Sequence, residues 1–93
     1  MFKVNEYFSQ QVMSLAFNAG NYPATIGVMA KGAYTFNTSS VELMTITSGE
    51  LLVKLPGETE WKSYKPFETF VVPAGVAFDV KCEADTTYLC IYK

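Results

Sequence analysis

The chain has 93 residues, seven of them lysine and nine acidic, with no histidine and no arginine. Without imidazole there is no Ser-His or Cys-His nucleophile pair and none of the commonest metal ligand; without guanidinium there is no bidentate fork for carboxylate or phosphate. A formal net charge of -2 also runs against nucleic-acid binding, which normally shows a basic stripe. What chemistry remains falls to carboxylates, hydroxyls, lysines and backbone amides.

The length fits one domain over residues 1–93, with a single core. Val, Ile, Thr, Phe, Tyr and Trp make up 35 of the 93 residues against only 6 Leu, a bias toward strands. Charged residues are 17% of the chain, below the roughly 25% of an average soluble domain. A small domain with so little charge is expected to cover part of its surface with a second copy of itself, the alternative being a polar surface built from Ser, Thr, Asn and Gln.

From the N-terminus, Met1–Phe8 carries one lysine and no apolar core of a signal peptide, so a cytoplasmic location is expected. The longest uncharged stretch, Tyr7 to Ala30, contains Gln10, Gln11, Asn18, Gly20, Asn21 and Pro23, too polar for a membrane span of about 20 apolar residues. Turn signals then recur at short intervals: Asn18–Pro23, Lys31-Gly32, Asn37–Ser40, Ser48–Glu50, Pro56-Gly57, Lys65-Pro66, Pro73–Gly75 and Glu83–Asp85. Between them lie runs of strand length, predicting strands near 12–17, 24–30, 33–38, 42–48, 50–55, 61–64, 69–73, 77–82 and 87–92. Phe78, Val80 and Cys82 alternate with Asp79 and Lys81, the pattern of a half-solvated antiparallel sheet. Tyr88, Cys90 and Tyr92 alternate with Leu89 and Ile91, so that strand is expected to be buried on both faces. Cys82 and Cys90 flank a turn candidate that would make them cross-strand neighbours. In a cytosolic chain they are expected to be free thiols.

No window sustains helical spacing. The chain reads as all-β, a sandwich or barrel of about nine short strands. No Cys-x-x-Cys or other zinc spacing occurs.

Few residues can carry chemistry. Glu42 shares strand parity with Met44 and Ile46: either it points inward, where a carboxylate must be hydrogen-bonded, paired or functional, or it lies wet at a strand mouth with no special role. The lysines fall at turns or outward positions. Trp61 is expected as a core plug or an interface anchor. Tyr34, Phe36, Phe70, Phe78, Tyr88 and Tyr92 lean inward, as core or as walls for a flat heterocycle in a barrel mouth.

Two of these marks resemble the cupin motifs in degraded form. Six residues after Gly32 stands Thr38, and eight after it Ser40, where cupins place two metal-binding histidines. Glu42, six residues and Gly49 then match the end of the first motif, although the gap before Glu42 is short. Pro73-Ala-Gly75, two residues and Phe78 match the second, with Phe in place of the third histidine. A single-domain cupin-type antiparallel β-barrel, or jelly roll, without a metal is implied. Asn5-Glu-Tyr-Phe8, Gly27-Val-Met29, Gly32–Phe36, Glu42–Thr45, Ser48-Gly49, Phe70–Pro73, Tyr88–Cys90 and Tyr92 together resemble the short bacterial pyrimidine/purine nucleoside phosphorylase family.

That resemblance implies phosphorolysis of nucleosides to free base and α-D-ribose 1-phosphate by a homodimer that needs no cofactor beyond phosphate as co-substrate. The expected partners are nucleosides and inorganic phosphate, with neither nucleic acid nor membrane. Glu42 is the candidate catalytic carboxylate, facing the positive charge that develops on the ribose. Tyr34, Phe36 and Phe78 are candidates to pack on the base. Thr38, Ser40, Thr45 and Thr47, a backbone nest around Asn37–Ser40, or a lysine are candidates for phosphate. The missing arginine also suits two rival readings, a non-catalytic cupin that binds a sugar or nucleoside, or a structural homodimer with an empty barrel.

Overall fold

In the computed structural model, residues 1–93 form ten strands and no helix. They are β1 (Val4–Tyr7), β2 (Val12–Ala19), β3 (Tyr22–Met29), β4 (Gly32–Asn37), β5 (Glu42–Ser48), β6 (Leu51–Lys54), β7 (Lys62–Tyr64), β8 (Thr69–Val72), β9 (Ala77–Cys82) and β10 (Thr86–Tyr92). A six-stranded antiparallel sheet has the order β1-β2-β3-β10-β5-β8, and a four-stranded one the order β4-β9-β6-β7. Nine of the strands fall where turn residues bracket an alternating run. The tenth, β1, was not expected, because Val-Asn-Glu-Tyr neither alternates nor favours strand; it forms by pairing with β2, Tyr7 opposite Val12.

Turn chemistry fixes the registers. Ala19 pairs with Tyr22 across Gly20-Asn21, and the positive φ of Gly20 (67°) suits the first central position of a type II′ turn. The tip between β1 and β2 is less comfortable. Phe8, Ser9 and Gln10 all have positive φ, at 52°, 54° and 70°, a conformation that strains non-glycine residues. Aromatic packing holds the tip: the Phe8 ring lies 5.0 Å from that of Tyr34 and 5.5 Å from that of Phe36.

The core lies between the sheets. Val12, Met29, Ile46, Leu51, Val53, Val72 and Val80 are fully buried in it, joined by Phe70, Phe78 and both cysteines. Cys82 and Cys90 are free thiols, as expected, but they are not cross-strand neighbours. β9 pairs with β4 and β6 while β10 pairs with β3 and β5, so residues 83–85 carry the chain from one sheet to the other instead of closing a hairpin. Cys82 Sγ donates to Ala30 O (3.3 Å), far from Cys90 in the fold's wiring.

Two further expectations change. Trp61 is no core plug: half-buried, it lies outside the four-stranded sheet with the ammonium groups of Lys54 and Lys81 at 5.0 and 4.2 Å from its ring centroid. β10 is central, but only its Tyr88 and Cys90 face is sealed. Leu89 and Ile91 are half-exposed, since nothing in the chain covers the outer face of the larger sheet.

Candidate active site

The inner face of the larger sheet supplies the floor of the site. Tyr92 on β10 stands directly opposite Glu42, the first residue of β5, and Cys90 stands between Met44 and Thr25 in the same face. Tyr88, two residues earlier, lies across Gly27. A Cβ at position 27 would collide with the Tyr88 ring, so glycine is what lets that ring lie flat on β3. β4 and β9 close the opposite side with Phe36 and Phe78, cross-strand partners whose rings sit 5.9 Å apart.

Between these walls is a cavity of about 540 Å³, lined by Glu42, Met44, Phe78, Tyr88, Cys90 and Tyr92, with Ser14 and Met29 behind them. Thr35, Phe36, Asn37 and Ser39 line its β4 side, and Tyr7 and Phe8 its rim. The volume lies within the roughly 300–1,000 Å³ of small-ligand sites. Glu42 is the only charged residue in the lining, and no lysine reaches it.

Electrostatics single out the same residue. Burial raises the Glu42 carboxyl above the ordinary glutamate value of 4.5, opposed by a hydrogen bond from the Cys90 thiol, Sγ to Oε1 at 3.5 Å. Burial in turn pushes the Tyr88 and Tyr92 hydroxyls and the Cys90 thiol strongly upward, so all three keep their protons. One carboxylate set among neutral donors and aromatic rings can face a developing positive charge. It offers an anion no counter-charge.

Of the residues singled out in the sequence, Glu42, Phe36, Phe78, Tyr88 and Tyr92 come together in this cavity. Tyr34 does not: it is buried in the core, and its hydroxyl donates to Ala30 O at 2.7 Å. Thr38 is wired into the loop before β9. Its hydroxyl donates to Pro73 O (2.6 Å) and accepts from Val76 N (3.1 Å), while its own N–H donates to Val76 O (2.8 Å), so neither group is free for a ligand. Ser40 does not line the cavity, and Thr45 faces the outer side of β5, bonded to Thr69 at 2.7 Å. Sequence reasoning missed Tyr7, Phe8, Ser14, Met29, Thr35, Met44 and Cys90 as lining residues, and reached Asn37 and Ser39 only as backbone of the Asn37–Ser40 nest. Asn37 and Ser39 flank Thr38, where the cupin spacing drew attention, and only the loop's hydrogen bonds decide which of the three face inward.

The cupin metal does not fit these residues. The three histidine positions hold Thr38, Ser40 and Phe78, the Thr38 hydroxyl is already bonded to protein, and no cluster of three His, Cys, Asp or Glu exists to hold an ion.

Two antiparallel sheets enclosing such a cavity define a cupin barrel. A cupin from Desulfitobacterium hafniense (TM-score 0.73, 18% identity, 95% of this chain and 82% of that one) and an RmlC-like cupin from Shewanella frigidimarina (TM-score 0.77, 16% identity, 98% and 82%) share the fold. A crystal structure of a protein of unknown function from Vibrio parahaemolyticus superposes at a TM-score of 0.96, with 40% identity over 100% of this chain and 99% of that one. Residues 2–92 match the pyrimidine/purine nucleoside phosphorylase family, and the chain belongs to it. Relatives carrying that name include proteins from Alcanivorax borkumensis, 55% identical over 99% of this chain and 98% of its own, and Pseudomonas aeruginosa, 53% identical over the full length of both.

Proposed function

We propose that this chain is a nucleoside phosphorylase, transferring the ribosyl group of purine and pyrimidine nucleosides from the base to inorganic phosphate. The observation that carries the reading is Glu42, the sole charge in a cavity otherwise walled by aromatic rings and neutral donors. A phosphate oxygen attacks C1′ of the ribose as the C1′–N bond breaks with its electron pair going to the base, which takes up the proton that the attacking phosphate gives up. The products are free base and ribose 1-phosphate. Positive charge builds on the ribose during the exchange, and the Glu42 carboxylate stabilises it. Phe36 and Phe78 pack on the base. Rings that hold by area, not by hydrogen bonds to base edges, tolerate both base classes.

Phosphate takes the Asn37 and Ser39 side of the cavity, where polar side chains of the loop after β4 are exposed and an amide and a hydroxyl can donate. No metal or organic cofactor enters the scheme. With no cation in the lining, the phosphate KM is expected to be high, in the millimolar range or above.

The same reading includes a homodimer in the cytoplasm, where both thiols stay reduced. Its interface is the outer face of the larger sheet. The strands β2, β3, β5, β8 and β10 contain one charged residue among them, Glu42, and it points inward. Cross-strand pairing sets Val4, Leu15, Ile26 and Leu89 in one apolar row on that outer face. Val4, Leu15, Ile26, Val28 and Val71 are exposed in the single chain. A second copy presents the same uncharged surface, which suits an isologous contact.

The test is release of free base from uridine, cytidine, adenosine, guanosine and inosine, with and without phosphate. Release that depends on phosphate supports the reading. Nucleoside binding without release would instead make the chain a binding module, which the uncharged phosphate side favours.

A further inference from the structure

The Glu42 carboxylate is held by a train of donors that the reaction does not itself require. Cys90 Sγ lies 3.5 Å from Glu42 Oε1, and Cys90 is fully buried. Tyr92 stands cross-strand from Glu42, and its hydroxyl meets Thr25 Oγ1 at 3.0 Å on β3 while facing the Cys90 sulfur. Of these, only Cys90 reaches an oxygen of Glu42, the first residue of β5; Tyr92 on β10 and Thr25 on β3 stand behind the thiol. A carboxylate at a strand's first residue has two free side-chain torsions beyond χ1, and something must fix its plane toward the cavity.

We propose that Cys90 is a positioning residue: its thiol donates to Glu42 Oε1 and sets the plane of the carboxylate, and Tyr92, anchored by Thr25, keeps the thiol aimed there. This rests on the reading of Glu42 as the group that meets charge on the ribose. Cys90 itself touches no reacting atom. A thiol suits the place because burial and the adjacent carboxylate push its pKa upward and so favour the protonated, donating form. The other titratable groups facing the carboxylate are Tyr88 and Tyr92 on β10 and Tyr7 at the rim. β8 presents Val72, β3 presents Thr25 and β4 presents Phe36 and Asn37, none of which titrates.

The test compares Cys90→Ala and Cys90→Ser with the native chain. Two readouts are taken: the titration of the Glu42 side-chain carboxyl by carbon-13 NMR, and kcat and KM for a nucleoside the native protein cleaves. Cys90→Ala is expected to move the Glu42 midpoint to higher pH and lower kcat about tenfold, with KM changed less than about twofold, as the loss of one donor to a charged group predicts. Cys90→Ser keeps a donor and is expected to restore both the midpoint and most of kcat. An unchanged midpoint in Cys90→Ala overturns the proposal, as does equal loss in the Ala and Ser variants, which would mark a packing role. The NMR arm needs no turnover. If the native chain releases no base, the function reading falls while the Glu42 midpoint still decides what Cys90 does.

Discussion

Glu42 sits where two opposing effects meet, and their balance is readable in pH. Burial disfavours the charged form more than the Cys90 hydrogen bond favours it, so the carboxyl keeps its proton to a higher pH than a free glutamate. In the proposed reaction the carboxylate is the working form, so activity is expected to fall as pH drops through that raised value. The acid limb of kcat/KM is expected above the ordinary 4.5 and is to be read from initial rates across an acidic pH series. Stability runs the other way. The folded state prefers the protonated group, so its ionisation destabilises the fold as pH rises through the same window. Replacing Glu42 by Gln should therefore raise Tm at neutral pH, which differential scanning calorimetry would show. A lower Tm in that variant would mean the carboxylate is better stabilised than its burial implies.

A second residue, Phe67, carries backbone strain that its own side chain does nothing to offset. Phe67 is 83% exposed and has φ of 71°, at the position of the turn between β7 and β8 that usually takes Gly or Asn. Pro66 precedes it, and Glu68 N donates to Lys65 O at 3.0 Å to close the turn. Phe67→Asn is expected to stabilise the protein by about 1 kcal/mol, measured as a shift in the urea midpoint at unchanged m-value.

Among the elements, β3 and β10 decide the floor of the site. Gly27→Ala places a methyl inside the Tyr88 ring in the middle of the six-stranded sheet, where neither strand can withdraw. The expected loss is about 1–3 kcal/mol, with nucleoside affinity falling as Tyr88 is displaced; urea unfolding and calorimetric titration measure the two separately. Element-level reading of the sequence succeeded where turn chemistry is local. Gly20-Asn21, Ser48-Gly49 and Pro73–Gly75 each end a run in the chain and a strand in the structure. It failed where the partner strand decides. Val4–Tyr7 carries no strand pattern of its own, and three residues between Cys82 and Thr86 look like a hairpin loop but cross between sheets. Parity left Glu42 either inward or wet at a strand mouth, and it is the structure that sets it in the cavity lining. Nor could parity show that Tyr7 and Phe8 come round to the rim, because the β1–β2 tip reaches the cavity only through strained backbone and contacts with Tyr34 and Phe36.

For the whole molecule, the low charge noted in the composition acquires a location. It is concentrated on the outer face of one sheet, while the smaller sheet keeps Lys54, Asp79 and Lys81 on its outside. That asymmetry is what the proposed dimer requires. Ile26→Lys and Leu89→Glu, made singly, are expected to turn a dimer into a monomer in light scattering coupled to size-exclusion chromatography, since each buries an unpaired charge in the contact. A native chain that is monomeric at micromolar concentration would remove the dimer from the account.

The cavity, the fold and the family meet in a single claim: the Glu42 carboxylate carries the chemistry of ribosyl transfer. Steady-state kcat for phosphate-dependent base release by Glu42→Gln, beside the native chain, tests it most directly. The account predicts a fall of roughly 10²–10³-fold, with nucleoside binding retained and Tm no lower than native. Native kcat in a folded Glu42→Gln protein would contradict it.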